Sequence, residues 1–185
     1  MLRPAHAPAL KQAVADGRLW ELWYTSIPAP DAMEQEIARR LTLHEQGHML
    51  PFTVFDANTG GTLGMTTYMN IDAANRRLEI GSTWYRQSAQ RTGCNTQCKL
   101  LLLTHAFEAL HCIAVEFRTH FFNQRSRRAI ERLGARQDGI LRSHAVGPDG
   151  RLRDTVVYSI VAAEWPTVRQ HLRWLDACGG NAAPG

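Results

Sequence analysis

The sequence predicts an α/β (α+β) fold, a mixed, mostly antiparallel twisted sheet of about six to seven strands flanked by helices. Three features of the chain point to it. Residues 52–85 read as three consecutive strand-like stretches separated by turns, which pair antiparallel most simply. Residues 76–119 read as strand, helix and strand, and such a unit implies one parallel pair. Finally, Gly147-Pro148-Asp149-Gly150 between two β-rich stretches signals a closing hairpin.

Residues 4–16 place Ala5, Leu10 and Val14 at helical spacing and stop at Gly17. The aromatic cluster at residues 19–24, including Trp20, Trp23 and Tyr24, is read as core packing or as pocket lining, ahead of the breaker-rich residues 26–30. A second helix is predicted to begin at Asp31 as cap, with Glu34 completing a capping box, and to bury Met33, Ile37 and Leu41. It should fade before Pro51. Strands are then expected at 52–55, 62–70 and 76–85, the last alternating as Leu78, Ile80, Ser82 and Trp84. A long helix over residues 95–110 is apolar at Leu100, Leu101, Leu103, Ala106, Phe107 and Leu110, wide enough to pack on a sheet. Residues 112–119 read as a buried strand, and Asn123 opens an amphipathic helix closed by Gly134. Strands at 139–146 and 151–161 flank the hairpin turn, and a last helix runs from 164 to about 176.

Composition narrows the function classes. The formal charge is +4 and the sequence pI about 9.1, but the basic residues are scattered, densest at Arg125, Arg127 and Arg128. This distribution fits a small phosphate-bearing ligand as well as it fits nucleic acid. Cys94, Cys98, Cys112 and Cys178 lack paired CxxC spacing, and no signal peptide is legible, so a reducing, cytoplasmic setting is expected. No apolar run approaches the ~20 residues of a membrane span.

Two local patterns carry chemistry. The turn Gln90-Arg91-Thr92-Gly93-Cys94-Asn95 joins a strand to a helix, where free backbone N–H groups and the helix dipole favour an anion. The alternative there is a helix capped by Asn95 or Thr92. The second pattern, His44-Glu45-Gln46-Gly47-His48, matches the H-E-x-x-H zinc motif. Gly47 inside that helix and Pro51 just beyond it oppose a continuous metal-binding helix, so a solvated helix end is expected and no metal.

Leu78-Glu79-Ile80-Gly81 on a strand, Gln90-x-x-Gly93-x-Asn95 after it, the helix from Lys99 through Phe107, Asn123-x-x-Ser126 and Arg132-Leu133-Gly134-Ala135 follow one another in order. With that order and spacing the chain resembles the GNAT superfamily of acyl-CoA-dependent N-acetyltransferases, specifically the branch of ribosomal-protein N-terminal acetyltransferases. The resemblance covers almost the whole chain. It implies a single domain over 1–176 with a flexible tail at 177–185, and a splayed parallel strand pair in the middle of the sheet.

It further implies acetyl-CoA as co-substrate. The pyrophosphate would lie on the backbone of Gln90, Arg91, Thr92, Gly93, Cys94, Asn95 and Thr96, with Arg91 and Lys99 as nearby cations. The pantetheine arm would follow the backbone of Ser82, Thr83 and Trp84 opposite residues 115–119, and Asn123 would contact it. The family's usual tyrosine acid aligns with Ile130, which leaves Ser126 as a hydroxyl donor or proton relay. Glu79 is the leading general base; its alternative is an ion pair with Arg76 or Arg77. His120 and His144 stand in reserve. Trp23, Tyr24 and Trp84 would wall the acceptor site, with Arg142 and His144 as polar contacts. The first family strand is left with only Met1-Leu2-Arg3. The expected function is acetyl transfer to a primary amine of a small molecule or protein N-terminus by direct attack in a ternary complex. Alternatives are a non-catalytic acyl-CoA-binding module and, remotely, a zinc hydrolase. No nucleic acid or membrane partner is expected, and a homodimer stays open.

Overall fold

The computed structural model describes residues 1–147 and 149–178. Six strands form one sheet in the order β1-β2-β3-β4-β6-β5, namely β1 (Met49–Phe55), β2 (Thr62–Asp72), β3 (Arg77–Tyr85), β4 (Ala114–His120), β5 (Arg136–Val146) and β6 (Leu152–Val161). All neighbours are antiparallel except β3 and β4. The five α-helices are α1 (Ala7–Ala15), α2 (Met33–Glu45), α3 (Cys94–Thr104), α4 (Gln124–Arg132) and α5 (Trp165–Ala177). No helix among the described residues is long and apolar enough to cross a membrane.

The period-2 pattern of the strands puts one set of apolar residues on each face. Leu78, Ile80, Val115, Phe117, Tyr158 and Ile160 pack beneath α3, α4 and α5 through Leu103, Ile130 and Leu172. On the opposite face Met65 and Trp84 meet Leu10 and Val14 of α1 and Met33 and Ile37 of α2.

The simple alternation expected along β3 does not hold, because Leu78 and Ile80 face α3 whereas Trp84 faces α1 and α2. The reason is a β-bulge. Gly81 pairs with Thr67 and Trp84 with Met65, so Ser82 and Thr83 together oppose Thr66, and Ser82 takes a left-handed φ of 46°. One extra residue reverses the facing of everything after it.

The parallel pairing of β3 and β4 is also short. Arg77, Leu78 and Glu79 pair with Ala114, Val115 and Glu116, and the ladder goes no further. Beyond it each strand stays paired on its outer side, β3 with β2 through Tyr85 and β4 with β6 through His120. A gap lined by backbone therefore opens toward the C-terminal ends of the two strands.

Several local expectations are corrected. Asp31 caps nothing: α2 starts at Met33 with Ala32 before it and no side-chain cap, and Glu34 instead holds Lys11 at 2.7 Å. The helix end expected at the zinc-like motif, by contrast, is present. α2 ends at Glu45, Gly47 adopts φ 77°, and His44 Nδ1 engages the Met49 carbonyl at 3.1 Å, so His44 and His48 do not share a helix face. Leu101 is 72% exposed, because α3 presents a narrower apolar stripe than its leucine run suggests. Its last turn loosens into π-helix over His105–Ala109. The first family strand is reduced to one bond, from the Leu2 N–H to the Pro51 carbonyl (2.9 Å), with Leu2 buried. Ala177, expected in the tail, belongs to α5, and residues 179–185 lie outside the described residues.

Gly64 marks where the bulge constrains the backbone most. A Cβ there would lie 2.1 Å from the Trp84 carbonyl oxygen and 2.9 Å from Tyr85 Cα, both main chain. Gly64→Ala is expected to destabilise the protein by about 3 kcal/mol in denaturant unfolding, since no side chain can yield to make room.

Candidate active site

The turn after β3 is built for an anion. A 3₁₀ turn (Gln87–Ala89) carries the chain from β3 to Gln90, Arg91 takes φ 61°, and α3 begins at Cys94 with Gly93 before it. The backbone N–H groups of Arg91, Thr92, Gly93, Asn95 and Thr96 have no hydrogen-bond acceptor among the described residues. They converge on the positive end of the α3 dipole. The Cys94 N–H is the exception, bonded to Thr92 Oγ1 at 3.2 Å, while that hydroxyl donates to the Ala89 carbonyl at 2.7 Å. Thr92 is thus the polar brace of the turn, and Asn95 sits inside the helix rather than capping it. Gly93 itself has φ −68°, so its value is not conformational. The left-handed residue is Arg91.

Gln90 bridges the turn to α4. Its Nε2 donates to the Tyr85 carbonyl at 2.9 Å and its Oε1 accepts from Arg125 Nη2 at 2.6 Å, which brings a second guanidinium beside Arg91. Asn123 Oδ1 accepts the Ser126 N–H at 3.1 Å, capping α4 as its position in the sequence suggested. The Ser126 hydroxyl is free of hydrogen bonds among the described residues.

Lys99 departs from expectation. It is buried rather than beside the anion turn, its Nζ donating to Thr83 Oγ1 at 2.8 Å and Thr66 Oγ1 at 3.3 Å, and those two hydroxyls bond each other at 2.8 Å. The bulge is what turns Thr83 toward α3. Among the described residues no carboxylate pairs with this cation, and burial lowers its pKa to about 8.

Across the gap, on the α1/α2 side of the sheet, a cleft of about 180 Å³ is lined by Asn70, Asp72, Arg77, Glu79, Glu116 and Arg118. Glu79 is 5% exposed; its Oε2 accepts from Asn70 Nδ2 at 2.7 Å and lies 3.7 Å from Arg118 Nε. Burial raises its pKa, and Asn70 and Arg118 offset only part of that. Glu116 is partly buried too, but Arg77 (2.6 Å) and Arg118 (2.9 Å) hold its carboxyl below the ordinary range. Two neighbouring carboxylates are therefore pushed in opposite directions, one poised to exchange a proton and one fixed as an anion. The expected pairing of Glu79 with Arg76 or Arg77 does not occur, because Arg77 is taken by Glu116.

At the open end of β4, His120 stacks edge-on with Trp23 at 5.1 Å, and Trp23 contacts Tyr24 at 5.5 Å and Phe122 at 5.8 Å. Trp23 is 61% exposed, so this wall faces outward as a pocket lining would. His120 Nδ1 accepts the Phe122 N–H at 3.1 Å, and burial with Arg153 nearby lowers its pKa. Trp84 is not part of this wall: it is 4% exposed beneath α1 and α2, and only its backbone borders the gap. Arg142 is exposed and paired with Asp154 at 2.9 Å, and His144 Nδ1 meets Thr155 Oγ1 at 3.1 Å. Neither contacts the Glu79 cleft.

Asn70, Glu116 and Arg118 escaped the sequence reading, which noted Arg125 only as part of the densest basic group. The signal for two of them was present: Glu116 and Arg118 are charges at alternate positions of an otherwise apolar strand, which demands partners on one face.

The Lys99 assignment carries a stability signature. Its folded pKa lies near 8 against an ordinary 10.5, so between those values the unfolded chain binds more protons. Stability of the wild type should therefore rise as pH increases through 8 to 10.5, by up to about 3 kcal/mol, relative to Lys99→Met measured in the same titration.

Residues 1–136 match the family model described as Acetyltransferase (GNAT) domain. The chain is 33% identical over 106 residues to YdaF of Bacillus subtilis (strain 168), provisionally named a ribosomal N-acetyltransferase; that alignment spans 57% of this chain and 57% of the relative's length. A GCN5-related N-acetyltransferase from Brucella melitensis superposes with a TM-score of 0.80 at 31% identity, covering 95% of this chain and 80% of that one. Mycobacterium smegmatis RimJ, solved in complex with CoA-disulfide, superposes with a TM-score of 0.76 at 26% identity, covering 93% and 85%. The match across most of its length, together with a sheet that opens beside a turn of unpaired backbone N–H groups, shows that this chain belongs to the GNAT family of acetyltransferases.

Proposed function

We propose that the protein transfers an acetyl group from acetyl-CoA to a primary amine, by direct attack of the amine on the thioester. The observation that carries this is the gap between β3 and β4, which runs from the unpaired N–H groups of the α3 turn to the buried Glu79 carboxyl. The pyrophosphate would rest on the turn, with Arg91 and Arg125 adding charge. The pantetheine would occupy the gap along Ser82–Trp84, hydrogen bonding to backbone that has no partner on the β4 side. Unpaired N–H groups at the bulge would then polarise the thioester carbonyl.

Glu79 serves as base, directly or through a water, and burial raises its pKa above the ordinary carboxylate value, which makes it a stronger base than an exposed carboxylate. An α-amino acceptor, with a pKa about 8, asks less of this base than a lysine at about 10.4. That chemistry and the names of YdaF and RimJ favour the amino terminus of a protein, entering past Trp23, Tyr24 and His120. The Ser126 hydroxyl stands at the α4 end of the gap as donor to the departing thiolate, itself a tolerable leaving group. The catalytic unit is one domain through α5. A homodimer is proposed through β5, an edge strand exposed on both faces that carries Ile140, Leu141 and Val146; light scattering would detect it.

Three outcomes are expected. Acetyl-CoA raises the melting temperature, and a protein that shows no shift at ligand excess cannot work this way. Glu79→Gln lowers kcat about 100-fold in a thiol-release assay and removes the limb of the pH profile in which rate rises with pH, since only the ionised carboxylate accepts a proton. A non-catalytic binding module predicts instead no turnover with any amine. Gly93→Ala meets nothing closer than 3.8 Å and should melt like the wild type, yet raise the KM for acetyl-CoA about ten-fold by lifting the anion off the backbone donors.

A further inference from the structure

Two thiols stand in the anion-binding turn and have no part in acetyl transfer. Cys94 and Cys98 lie one helical turn apart at the start of α3, both partly exposed. Cys94 and Cys98 both pack against the cluster of Val54, Tyr85 and Ala89, so the two sulfurs lie on one face of α3. The buried Tyr85 hydroxyl in that cluster has no hydrogen-bond partner among the described residues, and the Lys99 ammonium stands near enough to favour negative charge on the sulfurs. A sulfur in the first turns of a helix and near a cation is held toward the thiolate, the form that reacts. The Cys98 pKa is lowered to about 7, chiefly by the adjoining Cys94 thiol and against the opposing effect of burial. Cys112 is the contrast, buried and pushed the other way.

We propose that Cys94 and Cys98 form a peroxide-sensitive dithiol whose closure to a disulfide distorts the anion-binding turn and weakens acetyl-CoA binding. The binding consequence rests on the acetyltransferase reading above. The Cys98 thiolate attacks one oxygen of hydrogen peroxide, the O–O bond breaks, hydroxide leaves, and a sulfenic acid remains. The Cys94 sulfur then attacks the sulfenic sulfur. An S–S bond forms, and the hydroxyl departs as water with the Cys94 proton. The two thiols are oxidised and the peroxide is reduced to water.

The coupling to the ligand is geometric. Residues four apart on a helix hold their Cβ atoms about 5–6 Å apart, whereas a disulfide requires about 3.5–4.5 Å. Closure must therefore pull the first turn inward by an ångström or more. The helix beyond is anchored by buried Lys99 and Leu103, while Arg91 and Thr92 are exposed. Thr96, fully buried and held by Arg132 Nη2 at 3.0 Å, belongs to the anchored part, so the end that yields is the one bearing the free N–H groups of Arg91, Thr92 and Gly93.

The full chain is treated with hydrogen peroxide, desalted, alkylated with iodoacetamide and digested with trypsin. Cleavage after Arg91 and Lys99 releases residues 92–99, which contain Cys94 and Cys98 and no other cysteine. This peptide is expected unalkylated and lighter by two hydrogens, and dithiothreitol should restore alkylation of both sites. Acetyl-CoA affinity by calorimetry is expected to fall about ten-fold on oxidation and to recover on reduction. Cys98→Ala should bind acetyl-CoA equally before and after peroxide. Alkylation of both cysteines after a treatment that oxidises the exposed Cys178 would overturn the dithiol, and a closed disulfide with unchanged affinity would overturn the coupling. A reduced protein that binds no acetyl-CoA fails the acetyltransferase reading and the coupling with it, while the peptide mass decides the dithiol separately.

Discussion

The site depends on where β3 stops pairing with β4. Three residue pairs join these parallel strands, and then a bulge in β3 bends the chain while β4 continues along β6. In a closed sheet this would leave backbone donors and acceptors unsatisfied, at a cost comparable to a lost hydrogen bond for each. The acyl-CoA arm proposed above, extended and amide-bearing, would remove that cost by acting as the missing strand. The interruption thus leaves the middle of the sheet open, and the bulge decides which side chains surround the opening.

The same bulge organises the electrostatics on both faces. Toward α3 it presents Thr83, which with Thr66 solvates the buried Lys99 ammonium in place of water or a carboxylate. Ahead of it, Glu79 stays on the α1/α2 face, buried against Asn70 and Arg118. Glu116, two strand positions from Arg118 on the neighbouring strand, absorbs Arg77 and part of Arg118 and so leaves Glu79 incompletely neutralised. A fully paired Glu79 would be a fixed anion; a partly paired, buried one can take and return a proton.

Much of the fold was legible residue by residue. Periodicity located the helices and strands, Gly134 and Asn123 marked the ends of α4, and the strand–helix–strand order implied the parallel pair. The turn between β3 and α3 was legible too, though its parts differ: Arg91 carries the left-handed conformation expected of a glycine, and Thr92 braces a turn in which Asn95 was a candidate cap. The acceptor wall was half legible. Trp23 and Tyr24 meet His120, but Trp84 turned away into the core, because alternation counts residues and cannot see one inserted without a partner.

The sequence by itself determined the order of elements, the sheet with its one parallel pair, the turn that leads β3 into α3 and the carboxylate on β3, since each is written in local spacing, capping and charge. Tertiary structure decided the facing and the partners. It placed Lys99 under the sheet instead of beside the anion, gave Glu79 the company of Asn70 and Arg118 instead of Arg76 or Arg77, and ended α2 inside a literal zinc motif. The physical reason is common to all three. Burial and ion pairing depend on which segments, far apart along the chain, a strand or helix meets across space, and a single bulge or helix terminus resets that meeting without altering the composition around it.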